Sequence, residues 1–230
     1  MIFHFGVYSY PAFDDVDSAR RRKIQNGSEW YYMRLIDKGN FRPTSGHEAT
    51  KKFHDEHYHG MSYDNFSNLL DSENFVKKVQ LWIEQAYSIG ASYMILTTKH
   101  HDGYCLWNTS TGKKTPFDYL SVFVEKVRSS GLKLGFYYSW MEFGVSPTIE
   151  YFNRVVIPQI NELKEYNPDI WWFDGDWPIT SKFGINCIHQ ITKDLIDLNP
   201  DVQINDRVKG SPYSTYRNYA DRFLPSTHPG

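Results

Sequence analysis

From Asp71 onward the chain alternates between two hydrophobic periods, and that alternation restricts its fold more than any other feature. Phe75, Val79, Trp82, Ile83, Ala86 and Tyr87 recur at spacings of three and four, which marks one apolar face of a helix, and Gly90 closes the segment as a C-terminal cap. Tyr93 to Thr98 follows as a buried strand, with Lys99-His100-His101-Asp102-Gly103 as its exit loop. The pattern then repeats: a helix from Asp118 to Ser129 ending at Gly131, a strand from Leu132 to Tyr138, and a helix from Ile149 to Tyr166 with Pro158 at a kink or in a break. A strand from Ile170 to Phe173, a helix from Ile185 to Leu198 and a strand from Val202 to Asp206 complete it.

Repeated strand–helix units predict parallel βαβ connections and an α/β fold. A (β/α)8 TIM-like barrel is the expected architecture, as one domain over residues 1–230. A doubly wound sheet is the alternative, but no Gly-rich phosphate turn follows any strand to give it nucleotide chemistry. The barrel is expected to be incomplete at its C-terminus. Only five or six strands precede Gly230, so either the chain is a piece of a longer one or the barrel closes by other means.

The first part of the chain is less regular. Met1 to Tyr8 reads as a first strand, Ser28 as the N-cap of a helix through Ile36, and Gly39 to Asp64 as a long irregular stretch carrying histidines. His54, His57 and His59 are expected to pack a loop rather than hold a metal.

Composition narrows the partners. With 40% hydrophobic residues, 23% charged residues and a formal charge of -2, the chain suits a globular core and has no broad attraction for nucleic acid or anionic membranes. The basic run Arg20-Arg21-Arg22-Lys23 is expected to be a solvated face. Cys105 and Cys187 match neither a disulfide framework nor a zinc spacing, and no segment has the apolar length of a membrane span or the look of a signal peptide. Either a cytosolic protein or one with its leader removed is expected.

The chemistry concentrates at strand exits, where α/β folds collect ligands. In Asn167-Pro168-Asp169-Ile170-Trp171-Trp172-Phe173-Asp174-Gly175-Asp176-Trp177, Asp174 ends a buried strand among indoles whose flat faces suit a sugar ring. Asp-Gly there is also ordinary turn chemistry, and Asp176 is expected to point elsewhere. The other strand ends add His4, Glu29, Trp30, His100, His101, Trp107, Tyr137, Tyr138, Trp172 and Arg207.

Lys99-His100-His101-Asp102-Gly103-Tyr104-Cys105-Leu106-Trp107, Trp172-Phe173-Asp174-Gly175, Asn205-Asp206-Arg207 and His4-Phe5-Gly6 together resemble the retaining α-L-fucosidases of glycoside hydrolase family 29, from His4 to Pro225. The resemblance implies Asp174 as the nucleophile that forms a covalent fucosyl-enzyme. It implies His4, Glu29, His100 and His101 as hydrogen-bonding partners of fucose, Trp30, Trp107 and Trp172 as an aromatic wall, and Tyr138 and Arg207 as further binding residues. The implied substrate is a fucosylated oligosaccharide or glycoconjugate, with no metal and no cofactor. Where the family pattern places an acid/base glutamate, this chain reads Ala220-Asp221-Arg222-Phe223, so the proton donor is either Asp221 or a residue beyond 230. Two other readings stand beside this one. One is a fucose-binding, lectin-like homologue without turnover. The other is a metal-dependent barrel hydrolase built on His100, His101, Asp174 and His4.

Overall fold

In the computed structural model, which describes residues 1–15, 27–36 and 46–218, one sheet carries the site. Its strands in chain order are β1 (Ile2–Phe3), β2 (Tyr93–Lys99), β3 (Tyr104–Cys105), β4 (Lys113–Lys114), β5 (Lys133–Ser139), β6 (Ile170–Asp174) and β7 (Gln203–Ile204). Strands β1, β2, β5, β6 and β7 lie side by side and parallel in that sequence, so each new unit joins the same advancing edge. A doubly wound sheet reverses direction at a switch point, and this one does not. Among the described residues β1 and β7 do not pair, so the ring of strands is not closed. The short β3 and β4 form an excursion from the end of β2.

The helices sit where the apolar periodicity places them, and their ends follow from side-chain capping. Asp71 caps helix Ser72–Ser88 by accepting from the Asn74 amide, Asp118 caps Tyr119–Ser130 through Ser121, and Ser181 caps Lys182–Leu198 through Gly184. Gly131 ends its helix in the left-handed conformation that an L side chain rarely adopts. The expected helix from Ile149 to Tyr166 is divided: a π turn at Phe152–Val156 separates Ile149–Tyr151 from Ile157–Lys164. Pro158 explains the division, because it has no N–H for the turn before it.

Three expectations for the first part are corrected. The first strand is only Ile2–Phe3, after which Val7–Ser9 turns into a 3-10 helix. Ser28 is not a cap but the first residue of a 3-10 turn, Ser28–Trp30, that leads into helix Tyr31–Ile36. The stretch read as irregular contains helix His47–Tyr58. That helix buries only Thr50 and His54 fully, so it lacks the apolar stripe that would have revealed it. The Arg20–Lys23 run and the Ala220-Asp221 pair lie outside the described residues.

Alternation along the strands divides the sheet's two faces. Leu134, Phe136 and Tyr138 of β5 and Trp171 and Phe173 of β6 enter the main core with the helices, packing against Phe75, Val79, Phe123, Val127 and Ile188. Ile95, Tyr137, Ile170 and Trp172 point to the other face, with Tyr216. There a Cβ on Gly135 would stand 2.4 Å from Ile95 Cγ1, so no larger residue fits that row without movement. Asp174 shares a strand and a parity with Ile170 and Trp172, and so belongs to this second face.

Candidate active site

Asp174 is the last residue of β6 and is 8 % exposed. Its Oδ2 accepts a 2.8 Å hydrogen bond from the Tyr137 hydroxyl, and its Oδ1 accepts one of 2.7 Å from Arg207. Burial pushes the carboxyl up. His101 and Arg207, with the bonds from Tyr137 and Arg207, overcome that and leave it below the usual aspartate value. The group is therefore an ionised carboxylate held by two donors in a nearly dry site.

Burial lowers the His101 pKa to about 4 against the pull of Asp174, so the ring is neutral at neutral pH and its positive charge depresses the Asp174 carboxyl only in the acid range where both titrate. Its tautomer follows from the hydrogen bonds around it. Ser139 Oγ donates to the Met141 carbonyl at 2.6 Å, so its oxygen accepts from His101 Nδ1–H at 2.6 Å. Nε2 is left as a lone pair, 3.6 Å from Asp174 Oδ2. That distance is too long for a hydrogen bond but leaves an acceptor facing the site.

The remaining rings close around this pair. His100 stacks on Tyr137 at 5.4 Å with its planes 12° apart, and His4 meets the edges of both at 5.7 and 5.2 Å. Burial holds the His100 pKa well below the usual value, helped by the neighbouring histidines, and its Nδ1 has no hydrogen-bond partner. Trp30, Phe143 and Trp177 flank His101 with ring centroids 5.8, 5.3 and 5.3 Å away. Glu29 precedes Trp30 in the same turn and influences Tyr8, whose ring lies 5.4 Å from His100.

The two histidines reach one site because of a strand irregularity. Register shifts between Thr97 and Lys99, where Thr97 pairs with Tyr137 but Lys99 with Tyr138. Strict alternation would send Lys99 to the site face. The shift instead turns it among the helices, where its ammonium bonds Glu142 at 3.1 Å and lies 4.5 Å above the Tyr138 ring. His100 and His101 then leave the strand with rings 4.2 Å apart.

His4, Trp30, His100, His101, Asp174 and Arg207 are thus brought together, with Glu29 beside Trp30 and Trp172 on the same face of β6. Two expected members are not. Tyr138 lies on the helix face with its hydroxyl on Gln159 Oε1 at 2.8 Å, and Trp107 is buried there with its indole N–H on Glu162 at 2.7 Å. Trp171, one of the tryptophans read as sugar-facing, stacks on Phe173 in that same core. Tyr137 occupies the place beside Asp174 instead. Parity is the signal that separates them, since Tyr138 is in phase with Leu134 and Phe136, whereas Tyr137 pairs with Trp172. Ser139, which holds His101, carries no local motif that marks it, whereas Asn205, which holds β6, lies in the Asn205-Asp206-Arg207 triplet without any signal of that role.

His54 is held within the fold. His54 bonds the Tyr31 hydroxyl at 2.8 Å through Nδ1 and the Met61 carbonyl at 2.7 Å through Nε2, so both ring nitrogens are committed. Among the described residues no group of three or more His, Cys, Asp or Glu side chains is arranged to hold a metal ion. No helix of the described residues is long and apolar enough to cross a membrane.

Comparison with known proteins sets this geometry in context. A family model described as Alpha-L-fucosidase matches residues 1–229. Alpha-L-fucosidase of Dictyostelium discoideum is 28% identical over 204 residues, 80% of this chain and 41% of its own. Human tissue alpha-L-fucosidase is 25% identical over 252 residues, 100% of this chain and 49% of its own. The crystal structure of Thermotoga maritima alpha-fucosidase in complex with fucose superposes with a TM-score of 0.73 at 27% identity, covering 94% of this chain and 53% of that one. The chain spans about half the length of the curated relatives it matches.

Proposed function

We propose, because this chain belongs to the alpha-L-fucosidase family, that it carries the glycone site of a retaining exo-α-L-fucosidase that removes terminal fucose from fucosylated oligosaccharides or glycoconjugates. The observation that carries the proposal is Asp174, a buried carboxylate kept ionised by Arg207 and Tyr137 at the exit of a parallel strand.

In this reading the Asp174 carboxylate attacks the anomeric carbon as the glycosidic bond breaks. The fucosyl-enzyme it forms is then hydrolysed by water with retention of configuration. Arg207 and Tyr137 keep the nucleophile charged before attack and receive the carboxylate again after hydrolysis. Neutral His101 offers Nε2 to a ring hydroxyl. His4 and Glu29 complete the polar lining, while Trp30 and Trp172 present apolar surface to the C–H faces and methyl group of fucose. The general acid/base is assigned to Asp221 or a residue beyond 230, as the sequence leaves it.

We read the sheet as the first strands of a (β/α)8 barrel in one domain over residues 1–230. The uninterrupted parallel order supports this, with chemistry at the C-terminal ends of the strands.

The test is hydrolysis of 4-nitrophenyl α-L-fucoside, with Asp174→Ala as control. Turnover that is lost in the variant and restored by azide is the expected result. Unchanged turnover in Asp174→Ala would remove the assignment. Fucose binding with no turnover of this activated substrate would favour the lectin-like reading, since such leaving groups need little protonation.

A further inference from the structure

We propose that Asn205 is a positioning residue that holds the strand carrying Asp174 and sets the register between Asp174 and Arg207. The inference rests on the reading of Asp174 as nucleophile.

The regular pairing of β6 with β7 ends at Trp171 with Ile204, and the Asn205 amide N–H makes one further bond, to the Trp171 carbonyl at 3.3 Å. Beyond that point the Asn205 side chain replaces the missing strand. Its Oδ1 accepts from the Phe173 N–H and its Nδ2 donates to the Phe173 carbonyl, both at 2.8 Å. The carboxamide therefore supplies one donor and one acceptor to the residue before Asp174, as a neighbouring peptide unit would. Asn205 is completely buried, so both bonds are made away from solvent. Aspartate lacks the donor, leucine lacks both groups, and glutamine is one methylene too long.

The same backbone continues into the counter-charge. Arg207 lies two residues after Asn205, and its carbonyl accepts from the Trp140 indole N–H at 3.0 Å. The Trp140 amide in turn donates to the Asp174 carbonyl at 2.8 Å. Phe173–Asn205 and Asp174–Arg207 are thus two adjacent cross-links between the same pair of segments. The first has near-ideal double hydrogen bonds within the fold, and the second is the contact that charges the nucleophile. Loosening the first shifts the second, and a displacement of about 1 Å at a reacting group costs on the order of a hundredfold in rate.

The test combines carbon-detected NMR titration of the Asp174 carboxyl with fucosidase kinetics in Asn205→Ala and Asn205→Gln. Val79→Ala serves as a core-weakened control, buried in helix Ser72–Ser88 away from the site. Both Asn205 variants should raise the apparent pKa of Asp174 by about one unit, equivalent to a tenfold loss of ionisation preference. They should also lower kcat by about tenfold to a hundredfold, with KM changed less than kcat. Asn205→Gln keeps a carboxamide and so keeps the segment polar and folded if Asn205→Ala unfolds. Val79→Ala should be less stable yet titrate as the wild type does. An Asp174 titration unchanged in the Asn205 variants, or shifted equally by Val79→Ala, overturns the inference. Because the titration needs no turnover, an inactive wild type would count against the proposed function and leave this result decisive on its own.

Discussion

Replacing Tyr137 by phenylalanine removes a single hydroxyl from the centre of the site, and its effect can be worked out from the contacts. The ring is buried, stacked on His100 and edge-on to His4, and phenylalanine preserves all of that. What disappears is the 2.8 Å bond to Asp174 Oδ2. A hydrogen bond to a charged group is worth about 1.5–3 kcal/mol, which corresponds to a rise of about one to two units in the Asp174 pKa. The wild-type carboxyl sits below its ordinary value, so its contribution to stability is present above the unfolded value and is lost as pH falls through the folded one. Tyr137→Phe moves the folded value upward and shrinks that contribution. Urea denaturation should therefore show the variant less stable by about 1.5–3 kcal/mol at neutral pH, with the gap closing in acid where Asp174 is protonated in both proteins. The acid limb of kcat/KM should move up by the same number of units. A stability gap equal at both pH values, or an unmoved acid limb, would refute the assignment of Tyr137 as the donor that keeps Asp174 charged.

Two other substitutions test the division of the sheet into faces and the buried groups beside the site. Tyr138→Phe loses the Gln159 bond and a contact with Lys99, both on the helix side, so it should cost about 1 kcal/mol of stability by denaturant titration and leave kcat/KM unchanged, the reverse emphasis of Tyr137→Phe. Asp102 is buried after the histidine pair and accepts from the Tyr63 hydroxyl at 2.7 Å; burial raises its pKa to about 6. Stability from a raised carboxyl is fully present below its unfolded value and is lost as pH rises through about 6. Asp102→Asn should thus flatten the stability profile between acid and neutral pH by at most about 3 kcal/mol, read as Tm against pH.

Much of the architecture was legible because it is written in local pattern. The apolar spacing of helix Ser72–Ser88 and the glycine that ends helix Tyr119–Ser130 depend on residues within a few positions of one another. Asp174 was legible for the same reason, as a carboxylate ending a short apolar run before a glycine. Helix His47–Tyr58 was not, because its buried positions are Thr50 and His54 rather than an apolar stripe, and His54 is held by Tyr31 and Met61 from outside the helix.

What the sequence by itself determined is therefore the alternation of strand and helix, the exits where polar residues gather, and the family pattern those exits carry. Parity along β5 separates Tyr137 from Tyr138, but tertiary structure decided which of the two faces meets Asp174. The choice between Tyr137 and Tyr138 turns on register against β6 and on a shift in β2 at Lys99, both set by pairing between strands far apart in the chain. The partners of Asp174 come from two further segments, 33 residues later at Arg207 and 37 earlier at Tyr137. The charge on this carboxylate is a property of that convergence, since burial alone would have raised its pKa and the assembled His101, Arg207 and Tyr137 bring it down.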